Sequence, residues 1–383
     1  MTLQQDAVLP LSGIRVLEFS HMVMGPTCGM ILADLGAEVI KVEPPEGDKT
    51  RNLPGLGIGF FRCFNRNKKS VVLDLKQKAD RRRAAKLAGS CDVVLENFRP
   101  GLMKTWGLDY ATLAAQYPHL IYVSHKGFLP GPYEHRPALD EVVQMMGGLA
   151  YMTGPLGRPL RAGSSVNDIM GGMFGAIGVF AALRERDCTG RGQEVQSALF
   201  ENCVFLSAQH MQQAQMTGEP PPPMPERASA WSVYDVFTLA DDAQLFIAAV
   251  SDKQFDTLCA VLARPDLRER PEYANNAARM AVRPQLLADL REALRHHRAD
   301  DLAAKLEAAG VPYAPITRPD QLLDDPHLRQ SGGLAAIRTE DGGTSDVVLL
   351  PLLMAGQRLG VRMPMAKVGE HTDAVFAAHS QHV

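Results

Sequence analysis

Residues 14–42 read Ile14-Arg-Val-Leu-Glu-Phe-Ser-His-Met-Val-Met-Gly-Pro-Thr-Cys-Gly-Met-Ile-Leu-Ala-Asp-Leu-Gly-Ala-Glu-Val-Ile-Lys-Val42, and three segments are legible in them. Residues 14–19 form a short apolar run, 26–35 carry helical spacing with proline at the start and Gly36 at the end, and 38–42 are apolar again. Strand, helix and strand in that order make a βαβ unit. The loop His21-Met-Val-Met-Gly25 then falls at the carboxyl end of the first strand, where open α/β sheets bind their ligands. It lacks Gly-x-Gly-x-x-Gly spacing, which argues against a dinucleotide.

Outward from this unit the pattern repeats: an apolar run at 70–75, a charged helix at 77–88, a run at 92–96, a helix near 109–116 and a further run at 120–125. The N-terminal half is therefore read as Rossmann-like, doubly wound α/β. Arg81, Arg82 and Arg83 are consecutive and point in different directions, as a solvated helix face does, so they make a poor phosphate site.

Next comes Ser164-Ser-Val-Asn-Asp-Ile-Met-Gly-Gly-Met-Phe-Gly-Ala-Ile-Gly-Val-Phe-Ala-Ala-Leu183, where Asp168 stands at the head of an apolar, glycine-rich helical run. An N-cap is one reading, because helix starts stabilise an anion. Gly171, Gly172, Gly175 and Gly178 lower helix propensity, so another backbone or a ligand must gain by approaching that face, and a catalytic carboxylate is the second reading. The residues alone leave both open. From 168 to 216 the chain reads as long helices broken by a turn at 187–192, with Met211 and Met216 as packing residues.

The run Gly218-Glu-Pro-Pro-Pro-Pro-Met-Pro225 is necessarily extended and forms the clearest linker. Beyond it, 232–239 and 245–250 read as paired strands and 252–262, 283–296 and 299–308 as helices, which makes a smaller α/β domain. The expected organisation is a large domain from 1–217, a linker at 218–231, the small domain at 232–325 and a return to the large domain at 326–383. His296, His297 and His327 read as surface histidines.

A chain of 383 residues with 46% hydrophobic content and a formal net charge of −3 has neither the charge of a nucleic-acid binder nor the composition of a disordered tail. The first residues lack a basic start and an apolar core of a leader, and 169–183 is short and glycine-broken for a bilayer span, so a cytoplasmic protein is expected, with no membrane partner. Six dispersed cysteines with no Cys-x-x-Cys imply neither a disulfide framework nor a structural metal. They are expected to be reduced and mostly buried.

Six stretches in register carry a resemblance: Leu11-Ser-Gly-Ile-Arg-Val-Leu-Glu18, Gly36-Ala-Glu-Val-Ile-Lys-Val-Glu43, Asn67-Lys-Lys-Ser-Val-Val-Leu-Asp-Leu75, Glu96-Asn-Phe-Arg-Pro-Gly101, Thr189-Gly-Arg-Gly-Gln193 and Gly369-Glu-His-Thr-Asp373. Over nearly its whole length the chain resembles family III CoA-transferases, the group of formyl-CoA transferases, carnitine CoA-transferases and α-methylacyl-CoA racemases. That resemblance implies an interlocked homodimer. It makes Asp168 the catalytic aspartate, coenzyme A a substrate rather than a tightly bound cofactor, and a free carboxylic acid the other reactant, with no metal.

The resemblance also assigns CoA contacts. These are His21, Val23 and Met24 in the first loop, Leu73 to Lys76 along the nucleotide, Asn97, Phe98 and Arg99 after the third strand of the pattern, Arg136 and Ala138 beside CoA, and Asp140 near the thioester. On the residues alone, Phe98 is equally a core side chain, Asn97 a turn former, and Asp140 with Glu141 a helix start after Pro137. Val23 and Pro44 stand where formyl-CoA:oxalate enzymes carry a glutamine and an arginine, which points away from oxalate. Leu139 stands where the racemases place a histidine, so a two-base proton exchange lacks a partner and transfer is favoured. Residues 126–148 look most like transferases of C4 to C5 dicarboxylates, of the succinyl-, mesaconyl- and citramalyl-CoA type. A second substrate carboxylate needs a cation, and Arg136, Arg161 and His125 are the candidates. An intramolecular transfer between the two carboxyls of mesaconate, and an α-methylacyl-CoA racemase, are the alternatives.

Overall fold

The computed structural model describes residues 9–227 and 229–380. The first eight residues, on which the expectation about a leader rests, Ala228 of the linker and residues 381–383 lie outside the described residues. The chain divides into two compact units, Met1–Glu226 with Pro326–Val383, and Arg227–Asp325.

In the first unit the elements run β1 (Arg15–Phe19), α1 (Met24–Asp34), β2 (Glu38–Glu43), α2 (Phe60–Phe64), β3 (Lys68–Val72), α3 (Lys78–Ala88), β4 (Val93–Glu96), α4 (Leu102–Trp106), α5 (Tyr110–Gln116) and β5 (Ile121–Lys126). They continue with α6 (Asp140–Met146), α7 (Leu149–Thr153), α8 (Val166–Thr189), β6 (Glu194–Ala198) and α9 (Leu199–Thr217). The six strands form one sheet in the order β3-β2-β1-β4-β5-β6, and every pairing is parallel. Strands buried on both faces alternate their side chains between two cores. Val16, Val39, Val93, Ile121 and Val123 pack with α1 and α8, whereas Leu17, Ile40, Val94 and Tyr122 pack with α3 and α5. This alternation is what two layers of helices around a doubly wound sheet require.

The sixth strand corrects the expectation of helix, turn and helix between 168 and 216. Residues 194–198 are too few for periodicity to show, but their backbone completes the ladder from Tyr122 opposite Glu194 to Lys126 opposite Ala198. The helix before it is also longer than the sequence suggests: α8 is, by length and composition, long enough to cross a membrane. Its glycines are explained by close packing on α1, β5 and β6. A Cβ on Gly172 would lie 2.7 Å from the carbonyl oxygen of Met24 and 3.0 Å from the Cys28 nitrogen. One on Gly175 or Gly178 would collide with His125 or Val195. Met211 and Met216 are not packing residues within this chain; they are 48% and 85% exposed on α9.

The second unit contains β7 (Val233–Thr238), β8 (Gln244–Ala249), α10 (Asp252–Val261), α11 (Pro265–Glu269), α12 (Asn276–Ala281), α13 (Arg283–Leu294), α14 (Ala299–Ala309) and β9 (Tyr313–Pro315). Its three-stranded antiparallel sheet packs on the helices through Phe237, Ile247, Phe255, Leu258, Leu290 and Leu306. The chain then returns to the first unit through α15 (Pro326–Gln330), the pairs β10 (Leu334–Arg338) with β11 (Thr344–Val348) and β12 (Leu353–Met354) with β13 (Gln357–Arg358), and α16 (Thr372–Ser380). The Gly-Glu-His-Thr motif covers the open edge at β3. The Gly369 N–H donates to Ser70 Oγ at 2.8 Å, the His371 N–H to the Ser70 carbonyl at 2.9 Å, and the Val72 N–H to Thr372 Oγ1 at 3.0 Å.

Candidate active site

Asp168 is the third residue of α8, so it is not the N-cap that the sequence suggested. The flanking Ser165 offers no side-chain cap. The cap comes from a distant residue: Asp140 Oδ2, at the start of α6, accepts the N–H groups of Asn167 at 2.8 Å and Asp168 at 3.1 Å. A carboxylate satisfies orphan donors and faces the positive end of the helix dipole, so this is a charge-assisted cap. Asp140 is itself held by α6, because Gln144 Nε2 donates to its Oδ1, while Gln144 Oε1 accepts the Ala162 N–H at 2.8 Å. Arg161 lies 3.9 Å from Asp140 Oδ1 and 3.4 Å from Glu141 Oε2. Burial, then the neighbouring Asp140 charge, push the Asp168 carboxyl up to about 7 against an opposing pull from Arg161.

The first loop connects this turn to a cavity. Met24 opens α1 and packs against Gly171, while His21 and Met22, just before it, line a cavity of about 460 Å³. The other walls come from Phe19 and Ser20 at the end of β1, Val42 to Pro44 at the end of β2, Leu73 to Lys76 beyond β3, and Phe98 beyond β4. All lie at the carboxyl edge of the sheet, and β1 and β4 are the strands between which the order reverses, which is where doubly wound sheets take ligands. The cavity is of ligand size, apolar over much of its wall, with Lys49 and Lys76 as cations.

Of the residues expected to contact CoA, His21, Leu73, Lys76 and Phe98 line this cavity. The Asn97 side chain is taken up by the loop: its Oδ1 accepts the His21 N–H at 3.0 Å and its Nδ2 donates to the His21 carbonyl at 2.8 Å. Val23 is a core residue, 1% exposed. Met24 packs with Phe128, Val143 and Leu199, and Ala138 lies under Gly127. Arg99 is exposed. Arg136 is also exposed, its guanidinium 4.2 Å over the Tyr133 ring. Asp140 serves the α8 turn. Lys49, Thr50, Leu53 and Trp106 also line the cavity and were missed, although three of them follow β2 at the same edge.

Met22 adopts a left-handed φ of 63°, and Thr50 Oγ1 accepts its N–H at 3.0 Å, so the loop is pinned from two sides. Behind it, the buried Glu18 is paired with Lys68 at 2.9 Å and Lys41 at 3.4 Å, and Lys41 reaches Asp48 at 2.9 Å. Burial pushes the Lys68 amine down to about 8, with Glu18 opposing. Lys68 also donates to the Pro26 carbonyl at 2.9 Å, so this network ties β3 to the first turn of α1.

His125 cannot be a cation for substrate. Burial pushes its imidazole down to about 4, and the ring packs on Gly175 inside the core. The glycines of α8 likewise do not offer free N–H groups to an oxyanion, since they lie inside the helix, where each N–H is directed along the axis into the helical ladder. Among the described residues, both ends of the Asn167 amide, Asn202 Nδ2 and Ser207 Oγ are buried with no hydrogen-bond partner. Among the described residues, no group of three or more His, Cys, Asp and Glu side chains is arranged to hold a metal ion.

Comparison with known proteins accounts for this arrangement. Residues 11–372 match CoA-transferase family III. The chain is 35% identical to the succinate–glutarate CoA-transferase of Agrobacterium fabrum, over 96% of this chain and 95% of that protein. It is 37% identical to the acetyl-CoA:oxalate CoA-transferase of Acetobacter aceti, over 80% of each. Among solved structures, a CAIB/BAIF family protein from Brucella suis superposes with a TM-score of 0.89 at 33% identity, covering 97% of this chain and 99% of that one. The chain belongs to CoA-transferase family III and is a CoA-transferase.

Proposed function

We propose that this enzyme moves CoA from a dicarboxylic acyl-CoA thioester to a free dicarboxylic acid of four or five carbons, through an aspartyl-CoA thioester on Asp168. One observation carries the reading: a half-buried carboxyl with a pKa near 7 sits on the capped first turn of α8, next to the loop that walls the cavity. The ionised Asp168 attacks the thioester carbonyl carbon, the C–S bond breaks, and CoA leaves as thiolate, giving a mixed anhydride. The thiolate attacks the Asp168 acyl carbon and expels the donor acid as carboxylate, giving aspartyl-CoA. The acceptor carboxylate then displaces the thiolate, and the thiolate attacks the acceptor's carbonyl carbon, releasing the new thioester and restoring Asp168. Bonds balance at every step with no net proton and no ATP.

The cavity's apolar walls beside Lys49 and Lys76 suit the nucleotide and phosphates of CoA. Arg161, bordering Asp140 and Glu141, is a cation whose charge acts on Asp168 and suits a second carboxylate. The Agrobacterium relative, whose name pairs succinate with glutarate, supports acids of this length. The Acetobacter relative makes oxalate the competing acceptor.

The enzyme works in this reading as a homodimer. Met173, Ile177 and Phe180 form an exposed apolar stripe on α8, 49%, 58% and 38% exposed, and Phe205 on α9 is 65% exposed. Monomers rarely leave such faces to water. The six unpaired cysteines suit a reducing, cytoplasmic setting.

The test incubates purified protein with succinyl-CoA and, one at a time, glutarate, mesaconate, itaconate, citramalate, malate, oxalate, carnitine and acetate, with mass-spectrometric detection and no ATP. A new CoA ester from a C4 or C5 dicarboxylate supports the proposal. An ester from oxalate alone replaces the acceptor. No ester, with α-deuterium uptake into a 2-methylacyl-CoA, replaces transfer by racemisation. Light scattering at micromolar concentration reads the dimer, and a monomer there removes that part.

A further inference from the structure

Early in α9, Asn202 presents a buried side-chain amide. It is 6% exposed and its Nδ2 has no hydrogen-bond partner among the described residues. A buried donor left unpaired is destabilising, and a group on a bound substrate is one partner that can satisfy it. The amide stands against Gly171, where a Cβ would lie 2.8 Å from Nδ2 and would overlap Met24 Cε. Gly171 is three residues beyond Asp168 on the same helix, and such positions share a face with Cβ atoms about 5–6 Å apart. The unused donor therefore stands one helical turn along α8 from Asp168, whose carboxyl is raised by burial and the Asp140 charge with no hydrogen bond contributing.

The backbone donors of this turn are engaged. The Asn167 and Asp168 N–H groups go to Asp140, the Ile169 N–H goes to the Ser165 carbonyl at 3.0 Å, and those beyond lie within the helix. Each acyl exchange on Asp168 passes through a tetrahedral species whose oxygen carries negative charge, and a pre-placed donor aimed there stabilises it.

We propose that Asn202 is a catalytic residue whose side-chain amide donates to the acyl oxygen of acylated Asp168 as that carbon becomes tetrahedral. This rests on the reading of Asp168 as the nucleophile. When CoA thiolate attacks the mixed anhydride, a C–S bond forms and the carbonyl π pair moves to oxygen. Collapse expels the donor carboxylate with the C–O pair. Asn202 keeps both amide protons throughout, and its hydrogen bond strengthens as the oxygen gains charge. The small residue at 171 is what lets this amide approach the turn.

The test uses the purified full-length enzyme and the variants Asn202→Asp, Asn202→Ser, Asn202→Leu and Asp168→Asn. Readouts are kcat, KM for the acyl-CoA, and the thermal midpoint as a check on folding. Asn202→Asp keeps the shape and removes the donor, so it decides the matter where the leucine variant fails to fold. The expected result is a kcat about 10²–10³-fold lower with KM for acyl-CoA nearly unchanged, as for loss of an oxyanion donor. A folded Asn202→Asp or Asn202→Ser variant with undiminished kcat, alongside an inactive Asp168→Asn, overturns the role of Asn202 alone. Exchange that survives in Asp168→Asn overturns the nucleophile reading itself.

Discussion

The carboxylate of Asp140 accepts the backbone N–H of Asp168 at 3.1 Å, across 28 residues of sequence, so one acid builds the helical turn that carries the other. The relationship has two consequences of opposite sign. Hydrogen bonding from two N–H groups fixes the start of α8, and the same negative charge disfavours ionisation of Asp168.

The nucleophile must be ionised, so the rate should rise with pH through a limb near 7, the value to which burial and Asp140 push Asp168. In Asp140→Asn the charge is gone while an amide oxygen can still accept, so the limb should move toward acid. A pH profile of kcat/KM in the two proteins checks this, and an unmoved limb would remove Asp140 as a cause.

A carboxyl whose pKa is raised from 3.8 to about 7 on folding holds its proton more tightly in the folded state. Its stabilising effect is complete below pH 3.8 and is lost as pH rises through 7. Asp168→Asn should therefore abolish exchange and, above pH 7, raise unfolding free energy by roughly 1 kcal/mol. Urea unfolding at acid and alkaline pH measures it. An equal gain at both ends of the range would contradict the linkage.

Gly172 faces the α1 backbone, with a carbonyl oxygen 2.7 Å from where a Cβ would stand. Backbone cannot rotate away as a side chain can, so Gly172→Ala should cost about 1–3 kcal/mol or more despite its higher helix propensity. The corresponding exchange at Gly190, which has open space but a φ of 68°, should cost less, about 1 kcal/mol. Denaturant midpoints rank the two.

Asn97 closes two hydrogen bonds on the His21 backbone, and Thr50 closes one on Met22. Asn97→Ala should loosen the cavity wall and raise KM for acyl-CoA about tenfold, roughly 1.4 kcal/mol, with a smaller effect on kcat. Met22→Gly relieves the φ of 63° and should stabilise the protein by about 0.5–1 kcal/mol. A KM left unchanged in Asn97→Ala would make the clamp irrelevant to binding.

By itself the sequence determined what depends on local spacing. Alternating and helical periodicity at 14–42 revealed the βαβ unit, and its repeats implied the doubly wound sheet, because side-chain period and strand burial are properties of neighbouring residues. The glycines of α8 announced a close approach to that helix. Six motifs in register identified the family and singled out Asp168. What tertiary structure decided involves partners far apart in the chain. The cap on α8 comes from Asp140 rather than Ser165. The glycines of α8 meet α1, β5 and β6, and their N–H groups are held in the helical ladder. His125 is buried and neutral, where the sequence allowed a cation. The strand at 194–198 exists because β5 offers it a ladder. Hydrogen-bond complementarity and desolvation are set by what folding brings together, and no local pattern of residues records them.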